Sequence, residues 1–166
     1  MNVMSSEIYQ QMILEHNRRP KNFKRLTDPT HSGEGFNPMC GDHLWLDLRV
    51  DETGRVLETG FAGESCAICK ASTSMMTAAV KGLEVEEARE FANQFRQLLQ
   101  GKLDEALEKR LGSLMIFANI WKYPARVKCA GLAWHTLQAA LTRAEAPAST
   151  ENDGTSTSRP KDERTM

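Results

Sequence analysis

From His43 to Val50 apolar and polar positions alternate without a break. Leu44, Leu46, Leu48 and Val50 fall on one face and Trp45, Asp47 and Arg49 on the other. A period of two predicts a strand with one face against a core. Asp51, Glu52, Thr53, Gly54 and Arg55 read as a turn, and residues 56–61 return as the antiparallel partner. Residues before Cys40 supply a third strand. Elsewhere the spacing is helical. Ile8, Met12, Ile13 and Leu14 give a first helix an apolar side. Ser5 or Ser6 caps it, and it stops before Arg19 and Pro20. Residues 20–37, rich in Pro, Asn, Gly and Lys, predict a wrapping loop.

Gly63, Glu64 and Ser65 close the strands. Residues 68–80 predict a helix of small and flexible apolar side chains, with Gly82 after its end. Residues 84–99 form an amphipathic helix with acids in its first turns and Gly101 beyond it. A short helix over 102–109 and a final one over 127–142 complete the order. Met75, Met76, Phe117, Trp121 and Trp134 belong in or at the edge of the core, and the acids from Glu84 to Glu90 on a solvated face. A helix, a small three-stranded antiparallel sheet and then several helices make an α+β domain.

Composition narrows the function. The chain has 166 residues, 40 % apolar and 26 % charged, with a net charge of −1. That length and balance suit one globular domain, and the charge offers no field for nucleic acid or anionic lipid. No apolar run nears the ~20 residues of a membrane helix, and the N-terminus has no cationic start or apolar signal core. A cytoplasmic location follows as the expectation. There thiols stay reduced, so four cysteines read as metal-binding or catalytic rather than as disulfides. From Glu145 onward Ala, Pro, Ser, Thr and charged residues dominate. Residues 1–144 are therefore expected to form the domain and 145–166 a disordered tail.

Three cysteines stand where elements meet. Cys40 precedes Gly41 at the start of the alternating strand, Cys66 follows Gly63–Glu64–Ser65, and Cys129 lies near the start of the last helix. Loop ends and helix N-termini favour the thiolate, the form that binds metal or attacks sulfur. Asp42, two residues after Cys40 across a glycine, can aim at the same ion. Three thiolates and a carboxylate suit tetrahedral zinc, or iron in a cluster. Spacing alone leaves a shared site and buried structural cysteines both open, because the separations are long, unlike paired CxxC ribbons.

The words around these cysteines go further. Asn37-Pro38-Met39-Cys40-Gly41-Asp42, Phe61-Ala62-Gly63-Glu64-Ser65-Cys66-Ala67-Ile68, Ala71-Ser72-Thr73-Ser74-Met75-Met76-Thr77 and Tyr123-Pro124-Ala125-Arg126-Val127-Lys128-Cys129-Ala130 resemble the SufU/IscU/NifU N-terminal family. So does the opening Ile8-Tyr9-Gln10…Ile13-Leu14-Glu15-His16…Arg19-Pro20-Lys21-Asn22, and the resemblance runs in order over residues 5–143. It is closest to SufU. Lys128 stands where IscU-type proteins carry a histidine, Tyr123 to Lys128 replace the IscU chaperone motif Leu-Pro-Pro-Val-Lys, and residues 101–121 look like the segment that lengthens SufU.

The resemblance implies zinc on Cys40, Asp42, Cys66 and Cys129, a cysteine-desulfurase partner, and transfer of sulfur to cluster assembly or to apo iron–sulfur proteins. It implies a sulfurtransferase-like carrier rather than a conventional enzyme. Cys40 is the expected sulfur acceptor, and Arg126 and Lys128 are candidate stabilisers of its thiolate or persulfide, or else an exposed basic pair. The alternative within the family is an IscU-type scaffold holding a transient [2Fe-2S] cluster on Cys40, Cys66 and Cys129.

Other readings compete. Cys69 makes a CxxC with Cys66, as in thioredoxin-like proteins, but no βαβ context surrounds it, and a buried spectator thiol is the expectation. His16, His31, His43 and His135 read as surface or hydrogen-bonded residues, with His43 notable for its neighbours. A cysteine-nucleophile enzyme would need a base beside one cysteine, and no pairing is legible. A structural zinc module would need the same ligands and would transfer no sulfur.

Overall fold

Leu44, Leu46 and Leu48 are at most 2 % exposed, and the face they share is the seam along which the chain closes. The computed structural model describes residues 6–143 and 148–150. Helix α1 spans Ser6–Arg18, and strands β1 (His31–Asn37), β2 (Asp42–Val50) and β3 (Val56–Glu64) follow. Helices α2 (Ala67–Val80), α3 (Val85–Leu99) and α4 (Glu105–Leu111) come next. Two 3-10 turns, Gly112–Phe117 and Ile120–Lys122, lead to the long helix α5 (Pro124–Thr142) and a two-residue strand β4 (Ala148–Ser149).

The sheet order is β3-β2-β1-β4. The first three strands pair antiparallel and β4 runs parallel to β1, so the sheet has four strands where the sequence predicts three. Helix α5 lies on the apolar face, with α2 and α3 packed against it and α1 against α2. Its Trp134, fully buried, stacks on Phe95 at 4.4 Å and Phe91 at 5.8 Å between ring centres. The Trp134 indole N–H donates to Ser72 Oγ, whose hydroxyl donates to Ala130 O, so α2 and α5 are pinned by a satisfied buried pair. Met75, Met76 and Phe117 are core residues as expected, whereas Trp121 lies at the surface over Gly101.

Strand β1 corrects part of the predicted loop. Gly33 and Gly35 read as loop residues, yet here they let α5 approach the sheet. A Cβ on Gly35 would stand 2.0 Å from Thr136 Oγ1. Glycine in a strand marks close approach as often as a turn. Residues 20–30 do wrap, and they cover a face taken from the alternation as polar and exposed. Asp47 is fully buried beneath them. Its carboxylate accepts from Arg25 Nε at 2.8 Å, the Leu26 N–H at 3.0 Å and Ser32 Oγ at 2.7 Å.

Helix boundaries follow local chemistry. Helix α5 starts at Pro124 rather than at 127, because proline fits the first helical position, where no N–H partner is needed. Helix α4 starts later than predicted, where Asp104 caps it by accepting the Leu107 N–H at 2.8 Å. The Glu84 N–H donates to Glu87 Oε1 at the start of α3. Of the segment expected to be a disordered tail, residues 148–150 lie against β1, and Thr150 is 2 % exposed. Residues 151–166 lie outside the described residues.

Candidate metal and thiol site

The β1–β2 connection makes the first half of the site. Asn37 and Asp42 face each other as the last pair of the ladder, and residues 38–41 form the turn between them. The Gly41 N–H donates to Asn37 O at 2.8 Å, and Gly41 has φ +75°, a conformation that disfavours any side chain. Cys40 thus stands exposed at the tip, while Asp42, the first residue of β2, is fully buried.

The second half comes from two helices. Cys66 is the N-cap of α2, its sulfur accepting the Cys69 N–H at 3.4 Å. Cys129 sits in the second turn of α5, buried. The Cys40 and Cys129 sulfurs are 3.5 Å apart, and one ligand atom each from Cys40, Asp42 and Cys129 lies within 4.8 Å of the others. Cys66 adjoins through Asp42. Its N–H donates to Asp42 Oδ1 at 2.7 Å, and its sulfur is 4.0 Å from Asp42 Oδ2.

The electrostatics fit a cation. Asn37 Nδ2 donates to Asp42 Oδ2 at 3.0 Å and reaches Cys129 Sγ at 3.7 Å. Among the described residues the donors to Asp42 are neutral, so the buried carboxylate has no cationic partner, which is costly unless an ion supplies one. Zinc–sulfur bonds of about 2.3 Å place tetrahedral thiolates about 3.8 Å apart, close to the spacing of Cys40 and Cys129. Two sulfurs and one carboxylate oxygen, from Cys129, Cys40 and Asp42, are thus close enough to share an ion, and the Cys66 sulfur stands 4.0 Å from Asp42 Oδ2.

The thiols differ in proton affinity. Cys66 is lowered to about 7, chiefly by the neighbouring Cys129 thiol and then by the Cys69 and Ile68 N–H groups, against burial and the Asp42 charge. Cys129 is raised well above the ordinary thiol range by the neighbouring Cys66 thiol and by desolvation. Cys69 is raised by burial, then by the charges of Asp42 and Cys66. It is fully enclosed in the core.

Arg126 projects from the first turn of α5 with its guanidinium 4.9 Å from the Tyr123 ring centre. It borders a cleft of about 550 Å³ whose walls include Tyr9, Ile13, Ile68, Ile120 and Tyr123. Tyr9 is raised by burial and pulled back by the Arg126 charge. Lys128, half-buried, adjoins Cys129 in the next turn of α5. His43 is turned away from the cysteines. It meets Glu34 at 2.5 Å and stacks on Trp45 at 4.2 Å. His16 bonds Ser74 Oγ at 2.7 Å, and His31 meets Thr30 Oγ1 at 2.8 Å. The sequence gives Asn37 no role of its own beyond its membership of a motif, and the structure sets it on Asp42 and Cys129. Its place in the Asn-Pro-Met-Cys-Gly-Asp word is the signal that could have found it.

A hairpin tip and a helix bring Cys40, Asp42 and Cys129 into a group that could hold a metal ion, with the helix N-cap Cys66 beside Asp42, on an α+β frame. The NifU-like N terminal domain matches residues 8–143, and the chain belongs to that family. The iron-sulfur cluster assembly scaffold protein IscU of Streptococcus pyogenes serotype M1 is 37 % identical over 138 residues, 83 % of this chain and 85 % of that protein. The zinc-dependent sulfurtransferase SufU of Bacillus subtilis is 36 % identical over 140 residues, 83 % of this chain and 92 % of that one. A crystal structure assigned as an iron-sulfur cluster assembly scaffold protein for the SUF system, from Fervidobacterium islandicum AW-1, superposes with a TM-score of 0.75. It is 32 % identical, covering 83 % of this chain and 99 % of that one.

Proposed function

We propose that this protein serves iron–sulfur cluster assembly by accepting persulfide sulfur from a cysteine desulfurase in the cytoplasm, with zinc held by Cys40, Asp42, Cys66 and Cys129. The observation that carries the reading is the exposed Cys40 thiol on the Gly41 turn, 3.5 Å from Cys129 and grouped with the buried Asp42 carboxylate. Zinc, when bound, keeps the thiols deprotonated at neutral pH.

Cys40 is the acceptor. Its thiolate attacks the outer sulfur of the desulfurase persulfide, a new S–S bond forms on Cys40, and the desulfurase cysteine leaves as thiolate. No electrons are gained or lost overall, and the sulfur passes on to cluster assembly or to apo iron–sulfur proteins. Exposure on a glycine-flanked turn suits that in-line exchange. We assign Arg126, exposed in the first turn of α5, the role of offsetting the charge of thiolate and persulfide.

A second reading, an IscU-type scaffold, draws on the same three thiols and on the scaffold named among the relatives. Metal analysis and sulfur transfer from a cysteine desulfurase decide between them. We expect about one zinc per chain in the wild type. Cys40→Ser is expected to abolish protein-bound persulfide, and Cys129→Ser to lose the zinc. If both variants keep wild-type zinc and desulfurase stimulation, the sulfur-acceptor reading fails. A visible cluster spectrum after addition of iron and sulfide, with no stimulation, would favour the scaffold.

A further inference from the structure

Thr150 lies beyond residue 143, where the family match ends, yet it reaches the site. Its hydroxyl is 3.1 Å from Asn37 Oδ1, a contact between residues 113 positions apart. Ala148 and Ser149 pair with Gly35 and Phe36 on the free edge of β1, which carries Thr150 to the end of that strand. Thr150 is 2 % exposed, and Asn37 and Asp42 are fully buried.

The direction of the amide follows from charge. Nδ2 of Asn37 faces Asp42 Oδ2 at 3.0 Å and Cys129 Sγ at 3.7 Å. A flipped amide would aim its carbonyl oxygen at a carboxylate and a sulfur, so the NH₂ must face them and Oδ1 must face Thr150. The threonine hydroxyl is then the donor. Among the described residues it is the donor to Oδ1, so removing it strands a buried carbonyl oxygen and loosens the amide's hold on Asp42 without reversing it. A carboxylate ligand whose second oxygen is held by a fixed donor is held in orientation too.

We propose that Thr150 is a positioning residue for the thiol and carboxylate site. Through Asn37 it holds an amide donor on Asp42 and Cys129, so that the short β4 strap on the sheet edge sets how firmly the site holds its ion. The consequence for zinc rests on the reading under "Proposed function"; the hydrogen-bond relay itself does not.

The test uses the full chain carrying Thr150→Val, which keeps the shape and loses the hydroxyl, beside Thr150→Ser, which keeps the hydroxyl. In metal-free protein the Asn37 side-chain amide resonances are expected to shift and lose exchange protection in Thr150→Val. They are expected to stay in place in Thr150→Ser. In zinc-loaded protein, release to a colorimetric chelator is expected to be about tenfold faster in Thr150→Val and near wild type in Thr150→Ser. The cobalt-substituted protein should show a matching change in its thiolate charge-transfer bands in Thr150→Val alone. Unmoved Asn37 resonances in Thr150→Val would overturn the relay. Moved resonances with unchanged zinc release and cobalt spectrum would overturn the link to the ion. A wild type that takes up no zinc would count against the proposed function, and the Asn37 resonances of the metal-free chain would still decide the relay.

Discussion

Asp47 shows how much a single residue's meaning depends on what covers it. In the sequence it is the polar position of an alternating strand. In the fold it is a buried anion under residues 20–30, held by Arg25, Ser32 and the Leu26 N–H. Burial raises its proton affinity, but those hydrogen bonds outweigh burial and hold the carboxyl below its ordinary value. A depressed folded value means the stabilisation is present above the unfolded value of about 3.9 and is lost as pH falls through the folded one. Asp47→Asn is therefore expected to lower stability by about 1–3 kcal/mol at pH 7. The gap from wild type should close as the pH drops below about 4. Denaturant titrations of both proteins at pH 7 and pH 3 check this. A gap that stays constant would show that charge is not what Asp47 contributes.

At the scale of elements, the contact of β1 with α5 is the one the chain makes by subtraction. Gly33 and Gly35 lack side chains where Thr136 and Ala140 arrive. Gly35→Ala would place a methyl against Thr136 Oγ1 and is expected to destabilise by about 1–3 kcal/mol through overpacking. Adding Thr136→Ala should recover part of that loss. Thermal or denaturant midpoints of the two single variants and the double variant measure the coupling. The same contact bears on the site, because β1 ends in Asn37 and α5 carries Cys129, and a displaced β1 moves the amide away from the sulfur. Helix α2 has the opposite logic. Its first polar contact is made by Cys66 itself, which caps the helix and offers its sulfur to the site at once.

For the whole molecule, the four candidate ligands come from a hairpin tip, a strand start, a helix cap and a helix near the end of the domain. An ion bound by all of them would tie the first strands to the last helix and favour the folded state over the unfolded chain. At zinc about 1,000 times its Kd the gain is about 4 kcal/mol, which should appear as a rise of several degrees in the melting temperature. Chelation is expected to reverse it, and Asp42→Ala to blunt it. Calorimetry with and without chelator checks the expectation, and an unchanged melting temperature would contradict a shared site. Among the described residues no helix is long and apolar enough to cross a membrane.

The legible part of the protein is what local pattern can carry. Alternation at 43–50 named β2 and its buried face, because side-chain direction in a strand depends only on position parity. Helical spacing and caps gave the helices to within a few residues. The words around Cys40, Cys66 and Cys129 carry the family, which the match over residues 8–143 bears out.

What the sequence by itself determined is therefore the helix–strand order, the core face of the sheet and the identity of the thiols. The tertiary structure alone decided that a glycine-rich stretch is a strand, that Asp47 is buried, and that Ala148 and Ser149 add a fourth strand. It alone carried Thr150 to Asn37. Each of those depends on a partner far away in the chain, α5 for the glycines and residues 20–30 for Asp47. For Thr150 the partner is the free edge of β1, and no local pattern records which distant surface will arrive.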